Sequence, residues 1–432
     1  MSPRSERFIA EVEHGYRTPA QVDRDRVHYS TAFARLAEVT QVVSADRGYV
    51  FHNRLTHSLK VAQIARRLAE KLLQEHATLA ERLGGLCPDA AEAAALAHDL
   101  GHPPFGHLAE KALDDLCKKC GLQDGYEGNA QSFRIVTTLA VGDALEEKSS
   151  NFVRGLNLTR ATLNGILKYP WLHGANPKKP EKWGAYLSEA AYFEWARSDQ
   201  SPGRHMKSLE AELMDWADDI TFSVHDLVDF YCAGLIPLEQ LSLAADADDE
   251  AQERTAFLSE VFERCDELAN RAAELKSVFS GICDLFPLNR RYVGSREQRC
   301  GLWQFITVLI SRYVEAIKLV EPDVNGRRVS IEKSAEDEIR MLKELTWHYV
   351  ILQNELATHQ RGQRKIVERV FHDLRTAADE KKSWNLFPPF FRAEIRDADG
   401  DSMKIARSVA DYISGMTEKE VLRTYRALSG PA

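Results

Sequence analysis

The spacing of apolar residues along the chain is typical of α-helices and leaves little room for a β-sheet. In residues 55–73, leucine and isoleucine side chains recur every three to five positions, which places them on one face of a helix. Convincing alternation at the two-residue period of a strand is absent from the sequence. The same reasoning predicts helices over residues 89–100, 107–119, 206–233, 256–280, 302–320, 333–374 and 402–427, the last as two short helices around Gly415.

The breaks between these helices are predicted to be loops within one folded body. They fall at residues 170–184, 244–252 and 376–384, and none is typical of a flexible linker between independent domains. One small hairpin is expected in residues 321–332, because Asn325-Gly326 favours a tight turn. We therefore expect an all-α fold with at most this hairpin.

Composition and charge narrow the possible classes of function. The 432-residue chain has a formal net charge of −9, which argues against a broad electrostatic grip on nucleic acid but allows a local basic groove. Residues 1–21 lack the apolar core of a signal peptide, and no run of about 18 apolar residues is present, so we expect no membrane attachment. Seven scattered cysteines, with Cys117 and Cys120 on one helix face as structural residues, fit a reduced, cytoplasmic protein.

The segment HDLGHPPFGHLAE, residues 98–110, concentrates groups that bind metals or transfer protons. His98, Asp99, His102, His107 and Glu110 all lie within it. Adjacent helical residues point about 100° apart, so His98 and Asp99 reach one ion only if that ion lies at the end of their helix. Imidazole and carboxylate ligands suit Mn²⁺, Fe²⁺ or Zn²⁺, and Mg²⁺ when fewer histidines take part.

Two further ligand candidates come from other predicted helices. His57 interrupts the apolar segment 55–73, where it is either a buried histidine with a partner or a metal ligand. Asp218, beside Asp219, lies in a helix with apolar neighbours; the pair is either solvent-exposed or paired with a cation. At 100° per residue, Phe222 shares a face with Asp218, and Asp226 lies at its edge.

The dipeptide His-Asp is weak support by itself, because this chain contains it three times. The pairs are His98-Asp99, His225-Asp226 and His372-Asp373. The last pair follows a basic amphipathic helix without other ligand candidates nearby, so we interpret it as surface. The first pair is the one with a surrounding cluster.

In order and spacing, these residues resemble the bacterial deoxyguanosinetriphosphate triphosphohydrolase (dNTPase-like) family of HD-domain phosphohydrolases. The resemblance covers most of the chain and implies a single helical body over residues 1–432, with an HD core near 50–235 and a C-terminal helical region near 250–432. The stretches that carry it are RTPAQVDRDRVHYSTAFARLAEVTQV (17–42), NRLTHSLKVAQIAR (53–66), AALAHDLGHPPFGHLAEKAL (94–113), EGNAQSFRIV (127–136), LTRATLNGILKYPW (158–171), ADDITFSVHDLVDF (217–230), THQRGQRKI (358–366) and VADYISGMT (409–417).

The resemblance also implies roles for individual residues. The metal ligands it implies are His57, His98, Asp99 and Asp218. The catalytic residues it implies are the pair His107 and Glu110, with His102 near the α-phosphate. The substrate-binding residues it implies are Arg54 and Lys182 for phosphate, Asp226 for the sugar 3′-hydroxyl, Gln41 near the sugar, and Phe222 at a position where many relatives carry tyrosine.

The activity that this family implies is metal-dependent hydrolysis of deoxynucleoside triphosphates, dGTP first among them, to deoxynucleoside and inorganic triphosphate. Water would attack the α-phosphorus, with Mn²⁺ or Mg²⁺ as the metal and Fe²⁺, Co²⁺ or Zn²⁺ as alternatives. Whether His107 serves as base toward water or as acid toward the 5′-oxygen is left open. Phe222 keeps a flat wall against the sugar but loses one hydrogen bond, which weakens binding by roughly 0.5–1.5 kcal/mol.

The family further implies a homo-oligomer, either a hexamer or a tetramer, with a nucleotide effector and single-stranded DNA as candidate partners besides the dNTP substrate. Two alternative functions stay open at this point. One is a different HD phosphohydrolase activity, such as a nucleotide phosphodiesterase or an alarmone hydrolase. The other is a non-enzymatic regulator that binds nucleotides or single-stranded DNA.

Overall fold

The expected all-α fold is confirmed by the computed structural model. It describes residues 2–11, 15–41, 53–141, 155–198, 205–242, 250–322 and 326–430. The α-helices in these ranges are α1 (Pro19–Tyr29), α2 (Thr31–Arg35), α3 (Arg54–Arg82), α4 (Pro88–Ala97), α5 (His107–Lys119), α6 (Gly128–Arg134), α7 (Arg160–Ile166), α8 (Ala190–Arg197), α9 (Leu209–Thr221), α10 (Leu227–Cys232), α11 (Leu238–Ser242), α12 (Glu250–Arg264), α13 (Asp266–Ala269), α14 (Ala272–Leu285), α15 (Arg296–Glu315), α16 (Lys333–Thr346), α17 (Asn354–Asp379), α18 (Pro389–Asp397), α19 (Ser402–Ser414) and α20 (Glu418–Ser429).

One small hairpin accompanies the helices. Strand β1 (Ile317–Leu319) pairs antiparallel with β2 (Val329–Ile331), with Lys318 opposite Ser330. The predicted hairpin segment held only the second strand, since β1 precedes it. Of the predicted turn dipeptide, Asn325 lies outside the described residues, and Gly326 has a φ of +72°. Short 3₁₀ helices occur at Pro3–Ser5, Leu36–Glu38, Leu187–Glu189 and Lys381–Leu386.

Several predicted helices are interrupted rather than continuous. π-helical turns at Phe222–Asp226 and Trp347–Ile351 divide the segments predicted as 206–233 and 333–374, and a third π turn spans Ile135–Leu139. The segment predicted as one helix over 256–280 is divided among three helices, because α12 ends at Arg264, the short α13 follows, and α14 begins at Ala272. A π turn holds one residue more than an α turn, so it rotates every later side chain around the axis. Hydrophobic period alone does not reveal such an insertion.

Most described apolar side chains belong to two packed clusters. In the larger cluster, α3 packs on α4 and α9. Seven of the ten residues of α4 are buried and six of these are alanines, which allows its neighbours to approach closely. In the second cluster, α5 packs on α17 and α19. The loop between α4 and α5 therefore connects the two clusters. No described helix is long and apolar enough to cross a membrane.

A buried ionic group ties the C-terminal helices to the first half of the chain. The Arg134 guanidinium of α6 donates to Glu189 at 2.5 Å and to Asp411 of α19 at 2.8 Å. Gln131 donates to the same Asp411 carboxylate at 2.8 Å. Burial by itself disfavours the charge on Arg134, but Asp411 and Glu189 outweigh it and raise its pKa. The buried positive charge of Arg134 is therefore stabilised by both carboxylates together.

We predict that Asp411→Ala destabilises the fold, because it leaves the buried Arg134 with one carboxylate. Removing one partner of a buried ion pair costs about 3–5 kcal/mol, measurable as a lowered midpoint of urea unfolding. The control is Glu38→Ala, which removes the exposed ion pair to Lys419 of α20 and should leave the midpoint unchanged. Equal midpoints for the two variants would contradict this account of Arg134.

Candidate functional site

Three helices bring the predicted metal ligands together. His57 lies in the first turn of α3, where the Asn53 side chain caps the helix by accepting from the Thr56 N–H at 2.9 Å. His98 and Asp99 follow directly after the last residue of α4. Ligand atoms of His57, His98 and Asp99 all lie within 4.8 Å of one another, and all three residues are buried.

Asp218 of α9 completes this group, and the two carboxylates are oriented in the same way. One oxygen of each is bound by a cationic side chain: Asp99 Oδ2 by Arg54 at 2.8 Å and Asp218 Oδ2 by Lys168 at 2.7 Å. The other oxygen of each faces a histidine. Asp99 Oδ1 is 3.4 Å from His98 Nε2, and Asp218 Oδ1 is 3.0 Å from Nε2 of His57.

The pKa values of Asp99, Asp218 and His57 are all lowered, the carboxylates by neighbouring positive charge and His57 by burial. Burial raises the pKa of Asp99, but His98, His102 and Arg54 outweigh it and hold the pKa well below its usual range. Burial also raises the pKa of Asp218, but the positive charge of Lys168 is the main cause that holds this pKa well below its usual range. Burial lowers the pKa of His57. Both carboxylates are therefore anionic, and His57 tends to stay neutral, as metal ligands must.

The donor set fits a divalent metal ion. His98 Nδ1 donates to the main-chain oxygen of Ala95 at 2.6 Å, which leaves the lone pair on Nε2. His98 Nε2 and His57 Nδ1 are buried and have no hydrogen-bond partner among the described residues. The imidazole nitrogens that lie beside the carboxylate oxygens are Nε2 of both His57 and His98, and this mixed donor set matches the borderline preferences of divalent transition metals.

The turn after Asp99 is held by close backbone contacts. A Cβ on Gly101 would lie 2.2 Å from the main-chain oxygen of Gly128, so only glycine fits there. Buried Arg35 donates to the main-chain oxygens of Leu100 at 2.7 Å and His102 at 2.9 Å. The backbone between α4 and α5 is thus held in place by contacts with α6 and with Arg35 of α2.

The entry into α5 is strained and externally supported. Phe105 has a φ of +69°, unusual for a residue with a side chain, and Gly106 has a φ of +64°. Glu418 at the start of α20 accepts from the Phe105 N–H at 3.3 Å and from the Thr40 N–H at 2.9 Å. Arg35 and Glu418 were missed in the sequence, because neither lies near the motif along the chain.

His107 and Glu110 form a hydrogen-bonded pair in the first turn of α5. His107 Nδ1 donates to Glu110 Oε2 at 2.9 Å, and the His107 side chain is 76% exposed. Lys182 binds Glu110 Oε1 at 3.1 Å and Glu127 at 3.0 Å. Burial raises the pKa of Glu110, but His107 and Lys182 outweigh it and keep the pKa well below its usual range. Glu110 is therefore an ionised acceptor that orients His107.

His102 lies between the metal-ligand group and the His107–Glu110 pair. Its Nδ1 is 3.0 Å from Asp99 Oδ1, and its ring centroid is 5.2 Å from that of His107. Burial, with the positive charge of Arg54, lowers the pKa of His102 to about 4. At neutral pH His102 is therefore uncharged.

The remaining predicted residues border this region. Asp226 is buried, and neither of its carboxylate oxygens has a hydrogen-bond partner among the described residues. Burial and the neighbouring Asp229 raise its pKa well above the usual value. Phe222 and Asp226 begin and end the π turn after α9, so the uniform 100° spacing used to place them does not hold. Gln41 follows Thr40, whose backbone bridges to Asn53 at the start of α3, and Gln41 Oε1 is buried without a partner in the described ranges.

Lys168 and Glu127 are further residues that sequence reasoning did not single out. Lys168 bridges Asp218 and Asp215, the latter at 3.0 Å. Glu127 shares Lys182 with Glu110. Both lie in sequence stretches that carry the family resemblance, and this position was the only feature of the sequence that could have marked them as site residues. Asp219 faces a different partner, Lys343 of α16 at 2.5 Å.

Comparison with known protein families agrees with this geometry. The HD domain family matches residues 54–222, which contain the four predicted metal ligands. The phosphohydrolase-associated domain family matches residues 329–427, which contain Asp411 and Glu418.

Several curated relatives named deoxyguanosinetriphosphate triphosphohydrolase-like protein align with nearly the whole chain. The relative from Corynebacterium efficiens is 36% identical over 440 residues, covering 98% of this chain and 94% of the relative. That from Streptomyces coelicolor is 36% identical, covering 96% and 93%, and that from Jannaschia sp. is 32% identical, covering 99% and 93%. The chain therefore belongs to the deoxyguanosinetriphosphate triphosphohydrolase-like family of HD-domain phosphohydrolases.

Proposed function

We propose that the protein hydrolyses deoxynucleoside triphosphates, dGTP first among them, to deoxynucleoside and inorganic triphosphate. The observation that carries the proposal is the position of the His107–Glu110 pair beside His57, His98, Asp99 and Asp218, with His102 between the two groups. A metal-ligand group next to an oriented imidazole can supply both the Lewis acid and the proton transfer that assist phosphoester hydrolysis.

His57, His98, Asp99 and Asp218 would hold the ion. Mn²⁺ or Mg²⁺ is proposed, and Fe²⁺, Co²⁺ and Zn²⁺ also accept this donor set. When bound, the ion supplies charge that polarises a phosphate oxygen and lowers the pKa of a water molecule.

Basic side chains of the site would hold the triphosphate. Arg54 is buried with one guanidinium edge on Asp99, and its Nε has no hydrogen-bond partner in the described part of the chain. Lys182 is one-third exposed between Glu110 and Glu127, so its ammonium group reaches the solvent side of the site. A phosphate oxygen would give both cations an acceptor in the site.

His107 would handle the proton. Attack of water on the α-phosphorus breaks the bond to the 5′-oxygen, so one proton leaves the water and one reaches the deoxynucleoside. Since Nδ1 of His107 donates to Glu110, Nε2 is the nitrogen free to exchange that proton. Asp226 would accept from the sugar 3′-hydroxyl, with Phe222 and Gln41 near the ring.

The test is a product-resolved assay of all four dNTPs and GTP with Mn²⁺ or Mg²⁺, in water labelled with heavy oxygen. We expect deoxynucleoside and triphosphate, with the label in the triphosphate, because water attacks phosphorus. The formation of dNMP and pyrophosphate would contradict the mechanism. Turnover of cyclic nucleotides or alarmones instead would identify a different HD phosphohydrolase, and the absence of any turnover, with or without a second nucleotide, would favour a regulator.

We predict that the double variant His98→Ala, Asp99→Ala loses bound metal and dNTP hydrolysis together, because it removes a neutral nitrogen and an anionic oxygen from the same ion. Metal content and turnover are measured on the same preparation. The matched control is His372→Ala, Asp373→Ala, the third His-Asp dipeptide, whose Asp373 pairs with exposed Arg369. This control should keep both properties; hydrolysis surviving in the first variant would place the site elsewhere.

A second variant addresses the proton-handling pair. Glu110→Gln should lower kcat by about 10²–10⁴-fold with little change in KM, since the amide no longer holds His107 as a carboxylate does. Glu260→Gln is the control, because Glu260 pairs with His348 at 3.0 Å away from the site. An unchanged kcat for Glu110→Gln would remove His107–Glu110 from the mechanism.

A further inference from the structure

A second cluster of ligand atoms lies beside the predicted metal centre. His102, His107 and Glu110 each offer one ligand atom, and these atoms lie within 4.8 Å of one another. None of the three belongs to the His57, His98, Asp99 and Asp218 set. The cluster is the one other group of this kind that the described residues contain.

Two of the three side chains, His102 and Glu110, lie next to Gly128. Because His102 Nδ1 lies against Asp99, its Nε2 is at the opposite side of the ring. A Cβ on Gly128 would lie 3.4 Å from His102 Nε2 and 3.5 Å from Glu110 Oε2. Glu110 Oε2 is also the atom that accepts from His107. The absence of a side chain at residue 128 keeps space open beside two of the ligand atoms.

The ligand types select among metal ions. Two imidazoles and one carboxylate are the donors of three-ligand zinc sites, which leave a fourth position for water. Mg²⁺ prefers oxygen ligands and gives up its water molecules reluctantly. Tetrahedral zinc with bonds of about 2.0–2.1 Å needs ligand atoms about 3.4 Å apart. His107 Nδ1 and Glu110 Oε2 are 2.9 Å apart, so the exposed His107 side chain must shift when an ion binds.

The surroundings make this cluster a weaker site than the first. Lys182 binds Glu110 Oε1 at 3.1 Å, so its ammonium group repels a nearby dication. Only one carboxylate belongs to the cluster, whereas two belong to the first set. His107 is exposed, and ordering its side chain on the ion has an entropic cost.

We propose that His102, His107 and Glu110 form a second, weaker site for Zn²⁺ or a similar transition-metal ion, and that its occupation inhibits the enzyme. The ion would bind a His107 nitrogen and Glu110 Oε2, which replaces the hydrogen bond that orients His107 and so ends its proton exchange. The inhibitory part rests on the proposed function, whereas the binding site itself does not.

The test of the site is a metal count that needs no activity. The full-length protein is stripped with a chelator, dialysed against increasing Zn²⁺ or Co²⁺, and its metal content and Co²⁺ visible absorption are recorded. We expect one tightly and one weakly bound ion per chain. His107→Ala should lose the weak ion alone, and the His98→Ala, Asp99→Ala variant the tight ion alone. Failure of the wild type to bind a second ion, or a second ion retained by His107→Ala, would overturn the site.

Two further variants test whether the weakly bound ion occupies the proposed site. Gly128→Ala places a methyl group against two of the ligand atoms and should weaken the second ion at least severalfold while the first remains bound. His348→Ala removes the histidine of the His348–Glu260 pair, which belongs to neither ligand group, and should keep both ions. A weak ion lost from His348→Ala would mean that it binds elsewhere, contrary to the proposal.

The inhibitory consequence is tested separately. At a fixed saturating concentration of Mn²⁺, added Zn²⁺ should reduce wild-type dNTP hydrolysis over the concentration range in which the second ion binds. Full activity with both ions bound would overturn the inhibition and leave the site standing. If no dNTP is hydrolysed, the proposed function fails, and the metal count still decides whether the site exists.

Discussion

Two neighbouring carboxylates, the buried Asp99 and the partly buried Asp218, impose the central constraint on this structure. A buried anion is strongly unfavourable unless cations and hydrogen bonds compensate for it. Arg54 and Lys168 supply this compensation from outside the group, each on one oxygen, so that the other oxygen faces the histidines. Helices α3 and α9 and the segments after α4 and α7 each contribute one member of this arrangement, so the four side chains must meet at one place for the charges to be compensated.

The segment 98–110 joins two apolar clusters, and this explains why its chemistry is divided. Its first two residues follow α4, which packs in the larger cluster, whereas His107 and Glu110 begin α5, which packs in the second. His102, in the turn between them, contacts both groups. The proposed metal ligands His98 and Asp99 and the proposed proton-handling pair His107–Glu110 are therefore supported by separate apolar clusters that meet at one loop.

Much of this arrangement could be predicted from local sequence, and the rest depends on long-range contacts. Helical period located α3 and α5, and the break at Gly101 placed His98 and Asp99 at a helix end. The π turn at Phe222–Asp226 escaped prediction because the apolar spacing is the same before and after an inserted residue, although the later side chains are rotated around the axis. Arg35, Lys168 and Glu418 escaped because their partners lie far away along the chain.

The contact between Glu418 and Phe105 has a consequence for how such a site can be inherited. Phe105 adopts a backbone conformation that is unfavourable for a residue with a side chain, and part of its support comes from Glu418 of α20, more than three hundred residues later. The segment that matches the HD domain ends at residue 222, so this support lies outside it. The segment 98–110 is therefore not a self-contained module. Recombination that exchanged the HD region alone could pair this strained loop with a C-terminal region that lacks the supporting glutamate, so we expect the two regions to evolve as one unit.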